Sequence, residues 1–261
     1  MIRLAVVGAT GRTGSRVIEL ARRQSSFQIV AGLTSGSDPR LGKPAWSAEG
    51  AVRLSAETEA KFDVLVDFSL PPATMHWLER CVKRGCALVS GTTGLSEKQR
   101  QTLHQAAERI PVLWASNFSV GINLLLRYAG PVARELGADF DIEIVETHHR
   151  RKVDAPSGTA LSLARAMVGA TGRNFDDDVV HGRSGIVGPR PAGQIGIHAV
   201  RLGDEIGRHE IHFASAGETV VLQHTARSRH AFASGALAAA RWMVGRQPGL
   251  YSMQDVLAAA T

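Results

Sequence analysis

A chain of 261 residues holds one large or two modest domains. It is 44% hydrophobic and 21% charged, the balance of a globular protein and not of a disordered one. No stretch reaches the roughly 18–20 uninterrupted apolar residues of a membrane helix. The formal charge is +6, and only five of the thirty Lys and Arg residues are Lys. Arg suits bidentate pairing with carboxylates and phosphates. No basic run exceeds three residues and aromatics are 5%, which argues against a single-stranded nucleic-acid groove. Small polyanionic ligands fit the charge more economically.

The apolar start is too short for a secretory signal and runs straight into a glycine turn, so it reads as a strand. Cys81 and Cys86 form no C-x-x-C pair; neither a zinc site nor a disulfide framework is indicated. Reduced thiols fit a cytoplasmic location.

In chain order, residues 2–7 predict a strand buried on both faces. Residues 14–23 predict a helix and 29–33 a second strand. Residues 63–68 read as a third strand, 73–84 as a helix stopped by Gly85, and 87–90 as a fourth strand. Residues 96–109 read as a helix with Ser96 and Gln99 spaced as a capping box, and 112–115 as a fifth strand. Strands alternating with helices imply βαβ units and a parallel sheet. The pattern then changes. Residues 120–136 predict a long helix kinked at Pro131, 140–147 a half-buried strand, 157–168 a helix, and 175–191 a loop. Residues 194–201, 208–213 and 218–225 predict three strands in an antiparallel meander. The tail predicts helices over 230–244 and near 253–258.

The expected fold is therefore α/β. A Rossmann-like parallel-sheet dinucleotide-binding domain comprises residues 1–119 and 230–261, the terminal helices packing back on it. An α+β domain with a mixed, largely antiparallel sheet comprises 120–229. The hinges fall near 117–120 and 228–231.

Five segments carry chemistry. Gly8-Ala9-Thr10-Gly11-Arg12-Thr13-Gly14 lies between a predicted strand and helix. Glycines there let the backbone approach a pyrophosphate, and the helix N-terminus offers free N–H groups. After the second strand the chain reads Gly32-Leu33-Thr34-Ser35-Gly36-Ser37, with no acid before Asp38. An acid there accepts ribose hydroxyls in NAD-specific folds, so this segment leans toward NADPH and stays compatible with NADH. The Gly91-Thr92-Thr93-Gly94 and Ala115-Ser116-Asn117-Phe118-Ser119 segments end predicted parallel strands, where hydroxyls and N–H groups can hold a nicotinamide and its ribose.

The fifth segment, 146–161, places His148, His149, Arg150, Arg151 and Lys152 consecutively between a strand and a helix. Such a cluster is tolerable beside an anion. Ser157, Gly158 and Thr159 open the helix, a carboxylate-binding arrangement. Together they suit a small substrate with more than one carboxylate, and a histidine there can exchange a proton near neutral pH. Adjacent histidines with no third ligand in view argue against a metal.

These segments resemble the 4-hydroxy-tetrahydrodipicolinate reductase (dihydrodipicolinate reductase) family of lysine and diaminopimelate biosynthesis. The matching stretches are VVGATGRTG (6–14), VDFS (66–69), SGTTGLS (90–96), ASNFSVGIN (115–123), EIVETHHRRKVDAPSGTAL (143–161), GQIGIHAVRLGDEIGRHEIHF (193–213) and SRHAFASGAL (228–237). The resemblance implies that Gly8, Ala9, Thr10, Gly11, Arg12 and Thr13 hold the dinucleotide, with Thr34 at the adenosine ribose. Gly91, Thr92, Thr93, Ala115, Ser116, Asn117 and Phe118 then line the nicotinamide side. It makes His148 the catalytic acid/base and Lys152 a second proton donor, with His149, Lys152, Gly158 and Thr159 on the substrate carboxylates. It also implies NADPH or NADH as cofactor, no resident metal, and a homotetramer formed through the second domain. Many members carry an acid where this chain has Thr34, and a third histidine where it has Arg151. Two other readings of the residues remain: a different dehydrogenase of a small dicarboxylate or amino acid, and a regulatory protein that binds dinucleotide without turnover.

Overall fold

The computed structural model describes residues 1–259. The chain runs β1 (Ile2–Val7), α1 (Gly14–Ala21), β2 (Phe27–Leu33), β3 (Leu54–Ser55), β4 (Val64–Asp67), α2 (Pro71–Arg84), β5 (Ala87–Ser90), α3 (Glu97–Ala107) and β6 (Pro111–Trp114). It continues with α4 (Val120–Leu136), β7 (Asp141–His148), α5 (Gly158–Thr171), α6 (Phe175–Asp178), β8 (Val179–His181), β9 (Ile195–Arg201), β10 (Arg208–Ala214) and β11 (Thr219–Thr225). It closes with α7 (His230–Met243), β12 (Gly249–Tyr251) and α8 (Met253–Ala258). It divides into two compact units: Met1–Val120 with the segment from Arg229 onward, and Gly121–Ser228.

The first unit is a seven-stranded sheet in the order β12-β6-β5-β4-β1-β2-β3, every neighbouring pair parallel. Parallel strands covered on both faces need apolar residues at successive positions, and β1 supplies them. Leu4 and Val6 pack on one face with Val17 and Ile18 of α1, Ala236 and Leu237 of α7, and Val256 of α8. Ala5 and Val7 pack on the other with Trp77 and Leu78 of α2 and Leu103 of α3. Helix α2 begins two residues before the predicted start because Pro71 fits the first helical position, where no N–H is required. It ends at Gly85, whose φ of 66° is left-handed. The Ser96–Gln99 capping box opens α3 as the spacing predicts. Strands β3 and β12 went unpredicted; at two and three residues they are too short to carry a periodicity. Strand β1 lies between β2 and β4, so the sheet order reverses there, the crevice where open α/β sheets bind ligands.

The second unit is a five-stranded sheet in the order β11-β10-β7-β9-β8. One face packs on α4 and α5 through Ala129, Ala133, Leu163, Ala164 and Met167. Gly130 lets α4 and α5 approach each other, since a Cβ there would lie 2.7 Å from the Ala166 carbonyl oxygen. Helix α4 contains Pro131 and runs on to Leu136. The expected meander is corrected: β10 pairs antiparallel with β11 and β7, but β9 pairs parallel with β7 and β8. The sheet is thus mixed in equal parts instead of largely antiparallel. A short connection between β9 and β10 reads as a hairpin, yet β7 takes the place between them with a seven-residue register on each side. The segment read as a loop, 175–191, contains α6 and the edge strand β8. Among the described residues no helix is long and apolar enough to cross a membrane.

Candidate active site

In the first unit the glycine turn forms as the G-x-x-G-x-x-G spacing requires. Gly8 has a φ of +72°, and a Cβ on it would lie 2.3 Å from the Phe68 carbonyl oxygen. A Cβ on Gly14 would lie 2.1 Å from the Gly8 carbonyl oxygen. The turn is thus folded on itself against the end of β4, with helix α1 starting at Gly14. Beside it lies a cavity of about 460 Å³ lined by residues including Gly8, Thr34, Ser35, Gly36, Leu70 and Trp77. A glycine cradle, a helix N-terminus and an adjoining partly apolar cavity fit an adenine dinucleotide.

A buried carboxylate fastens the neighbouring strand ends. Asp67, wholly inaccessible, accepts hydrogen bonds from Thr74 Oγ1 at 2.7 Å, Ser90 Oγ at 2.8 Å, Thr92 Oγ1 at 3.0 Å and Ser69 Oγ at 2.5 Å. It thereby joins β4, α2, β5 and the Gly91–Thr92 turn. The Thr92 hydroxyl is spent there, and its carbonyl accepts from Trp114 Nε1 at 2.9 Å. Thr92 and Phe118 are both buried, whereas Thr93 and Ser116 are exposed. The Phe68 and Phe118 rings meet edge to face at 5.4 Å, and a Cβ on Gly91 would strike the Phe68 ring at 2.3 Å.

Thr34, at the end of β2, has a neighbour the spacing did not suggest. Its hydroxyl lies 2.8 Å from that of Thr10, and Asp38 Oδ2 accepts from Thr10 at 2.6 Å and from Thr34 at 2.7 Å. Arg40 donates to both Asp38 oxygens, Nε at 3.0 Å and Nη2 at 3.0 Å. The Arg40 guanidinium, then the Thr10 and Thr34 hydroxyls, hold the Asp38 carboxyl well below the usual range.

In the second unit the basic loop is built around Glu146. This carboxylate is inaccessible to solvent and accepts from Arg201 Nη1 and Nη2, both at 2.9 Å, and from the Ser157 backbone N–H at 3.0 Å. His148 Nδ1 lies 2.5 Å from Glu146 Oε2. Burial alone would raise the Glu146 carboxyl, but the His148 and Arg201 bonds outweigh it and hold it at about 2. Ser157 caps α5 through its Oγ, which also lies 3.0 Å from His209 Nε2. The His148 and His209 rings meet edge to face at 5.1 Å. Burial, then the neighbouring His148 charge, pushes His209 down to about 3. Lys152 Nζ donates to both Asp154 oxygens at 2.8 and 2.9 Å, Arg151 pairs with Asp204 at 2.8 Å, and Gly158 is exposed at the helix start.

The structure thus gathers Gly8–Thr13 with Thr34 in one unit, and His148, Lys152 and the 157–159 helix start in the other. Sequence reasoning missed Asp67, Asp38, Arg40, Glu146, Arg201 and His209. Glu146 had a signal: it stands two residues before His148 on one strand, hence on the same face. His209 had none, because only the β7–β10 register sets it opposite Glu146. Among the described residues no group of three or more His, Cys, Asp or Glu is placed to hold a metal.

Known proteins agree with this architecture. The profile of the family described as "Dihydrodipicolinate reductase, N-terminus" matches residues 2–118, and "Dihydrodipicolinate reductase, C-terminus" matches residues 121–257. The chain is 44% identical to a 4-hydroxy-tetrahydrodipicolinate reductase of Thiobacillus denitrificans over 98% of each chain. It is 42% identical to the one of Psychrobacter arcticus, over 98% of this chain and 95% of the relative. A dipicolinate-bound dihydrodipicolinate reductase from Paenisporosarcina sp. TG-14 superposes with a TM-score of 0.78 at 28% identity, covering 97% of both chains. Spanning both units and nearly the whole length, these matches show that the chain belongs to the dihydrodipicolinate reductase family, NAD(P)H-dependent oxidoreductases acting as 4-hydroxy-tetrahydrodipicolinate reductases.

Proposed function

We propose that this chain reduces (2S,4S)-4-hydroxy-2,3,4,5-tetrahydrodipicolinate to tetrahydrodipicolinate in lysine and diaminopimelate biosynthesis, using His148 as proton donor and favouring NADPH over NADH. The observation that carries the reading is the Glu146–His148 contact within the HHRRKVDAPSGTA loop. A carboxylate on Nδ1 fixes the ring and its tautomer, leaving Nε2 to handle the proton. When bound in the first unit, the dinucleotide supplies hydride to ring carbon 4. After water has left the substrate, the enamine formed by that addition takes its proton at carbon 3 from His148. Lys152 is the second proton donor and, with His149 and the Gly158–Thr159 helix start, holds the carboxylates. Their cations lower the repulsion that a doubly negative ring presents to hydride.

Gly8–Thr13 and Thr34 hold the nucleotide, and Gly91–Thr93 with Ala115–Phe118 border the nicotinamide. The dipicolinate in the related structure supports a small dicarboxylate substrate. A cytoplasmic homotetramer assembled through the second unit's sheet completes the proposal. The test is absorbance at 340 nm with NADPH or NADH and freshly made substrate. Turnover is expected with both and is faster with NADPH; dinucleotide binding without turnover overturns the reading.

A further inference from the structure

We infer that Arg40 binds the 2′-phosphate of the adenosine ribose, with Asp38 as the anchor that aims it, and so sets the coenzyme preference of this chain. The inference rests on the dinucleotide reading above and deepens it. An acid at the end of β2 is usually taken to accept the ribose hydroxyls; Thr34 stands at that place here, and Asp38, five residues past the strand, is the first acid after it. Its acceptor capacity, however, is already filled. Oδ2 takes the Thr10 and Thr34 hydroxyls and Arg40 Nη2; Oδ1 takes the Arg40 backbone N–H at 2.8 Å and Arg40 Nε. The forked guanidinium offsets most of its charge, so the carboxylate repels an added phosphate less than a bare one would.

The Arg40 side chain is half exposed and fixed at both ends. Nε and Nη2 grip Asp38, while Nη1 donates to the Thr10 carbonyl at 3.0 Å, on the glycine turn itself. A guanidinium has five N–H donors. Three are used in these bonds, which leaves two for an incoming anion. A pre-aimed Arg on a rigid carboxylate is the geometry that recognises phosphate bidentately at low entropic cost. Thr34, whose hydroxyl shares Asp38 Oδ2 with Arg40 Nη2, also borders the cavity lined by Gly8, Ser35 and Gly36.

The test is direct binding to the substrate-free protein by calorimetry, with NADPH, NADH, adenosine 2′,5′-bisphosphate and 5′-AMP. In the wild type, the 2′-phosphorylated member of each pair is expected to bind tighter. Arg40→Gln should weaken NADPH and the bisphosphate about 10- to 100-fold, the range for a lost charged hydrogen bond, and leave NADH and AMP within about twofold. Equal losses for both members, or no loss for either, overturn the assignment. Asp38→Asn tests the opposite role: selective loss of NADH would make Asp38 a ribose acceptor and overturn it too. If Arg40→Gln does not fold, Arg40→Lys removes the fork and keeps the charge, and NADPH should still lose more than NADH. A wild type that binds neither dinucleotide sinks the dinucleotide reading itself. A wild type that binds both, with an indifferent Arg40 variant, sinks only the role of Arg40.

Discussion

His148 Nδ1 and Glu146 Oε2 lie 2.5 Å apart at the end of β7, and the far side of the carboxylate is held by Arg201 and by the first N–H of the α5 cap. The imidazole is therefore fixed to the same carboxylate that fixes the helix start proposed to receive the substrate. Removing the carboxylate's charge disturbs both. Glu146→Gln is expected to lower kcat by about 10- to 100-fold, less than loss of His148 itself. Nitrogen NMR of the His148 ring should show a mixed tautomer where the wild type shows one. An unchanged kcat with an unchanged ring spectrum removes Glu146 from the mechanism.

His148→Gln should lower kcat by roughly 10²–10⁴-fold, the usual contribution of a general acid or base. Its dinucleotide affinity should stay unchanged, because His148 lies in the second unit and the glycine turn in the first. Stopped-flow turnover beside a dinucleotide titration separates the two quantities. Wild-type turnover in this variant discards the proton-donor role.

Gly8→Ala should damage the nucleotide site and the fold together. A left-handed φ costs an L-residue about 1–2 kcal/mol, and the added Cβ would also press on the Phe68 carbonyl at 2.3 Å. Gly42, also at positive φ but with nothing within 4 Å of a Cβ, is the comparison. Gly42→Ala should lose stability alone and keep dinucleotide affinity. Urea midpoints and a fluorescence titration of both variants decide it.

His209 should make stability fall with acid earlier than carboxylates do. Its folded value of about 3 lies below the ordinary 6.5, so between those pH values the unfolded chain binds a proton that the folded chain does not. Its contribution is complete above pH 6.5 and is lost as the pH falls toward 3, at about 1.4 kcal/mol per pH unit. Glu146, held near 2 against an ordinary 4.5, adds the same sign only below pH 4.5. Chemical denaturation between pH 7 and 5 should thus show a slope in the wild type that His209→Gln flattens. Parallel curves would mean that His209 carries its proton in the folded state.

The periodicity of residues 2–115 was enough to read a parallel sheet, because strands buried on both faces must be apolar at successive positions and each helix between them must keep one apolar stripe. The glycine turn and the basic loop were legible for a similar reason: positive φ, close backbone approach and clustered cations each demand particular residue types in sequence. Strand pairing in the second unit was not legible, since β9 and β10 are neighbours along the chain while β7 separates them in the sheet. Nor were the partners of the site residues. Asp38 reaches Thr34 through a turn, Arg201 reaches Glu146 across the β7–β9 pair, and His209 meets Ser157 from the opposite strand. Local chemistry is written in spacing; which charge neutralises which is decided by register and burial, and these exist only once the strands have paired.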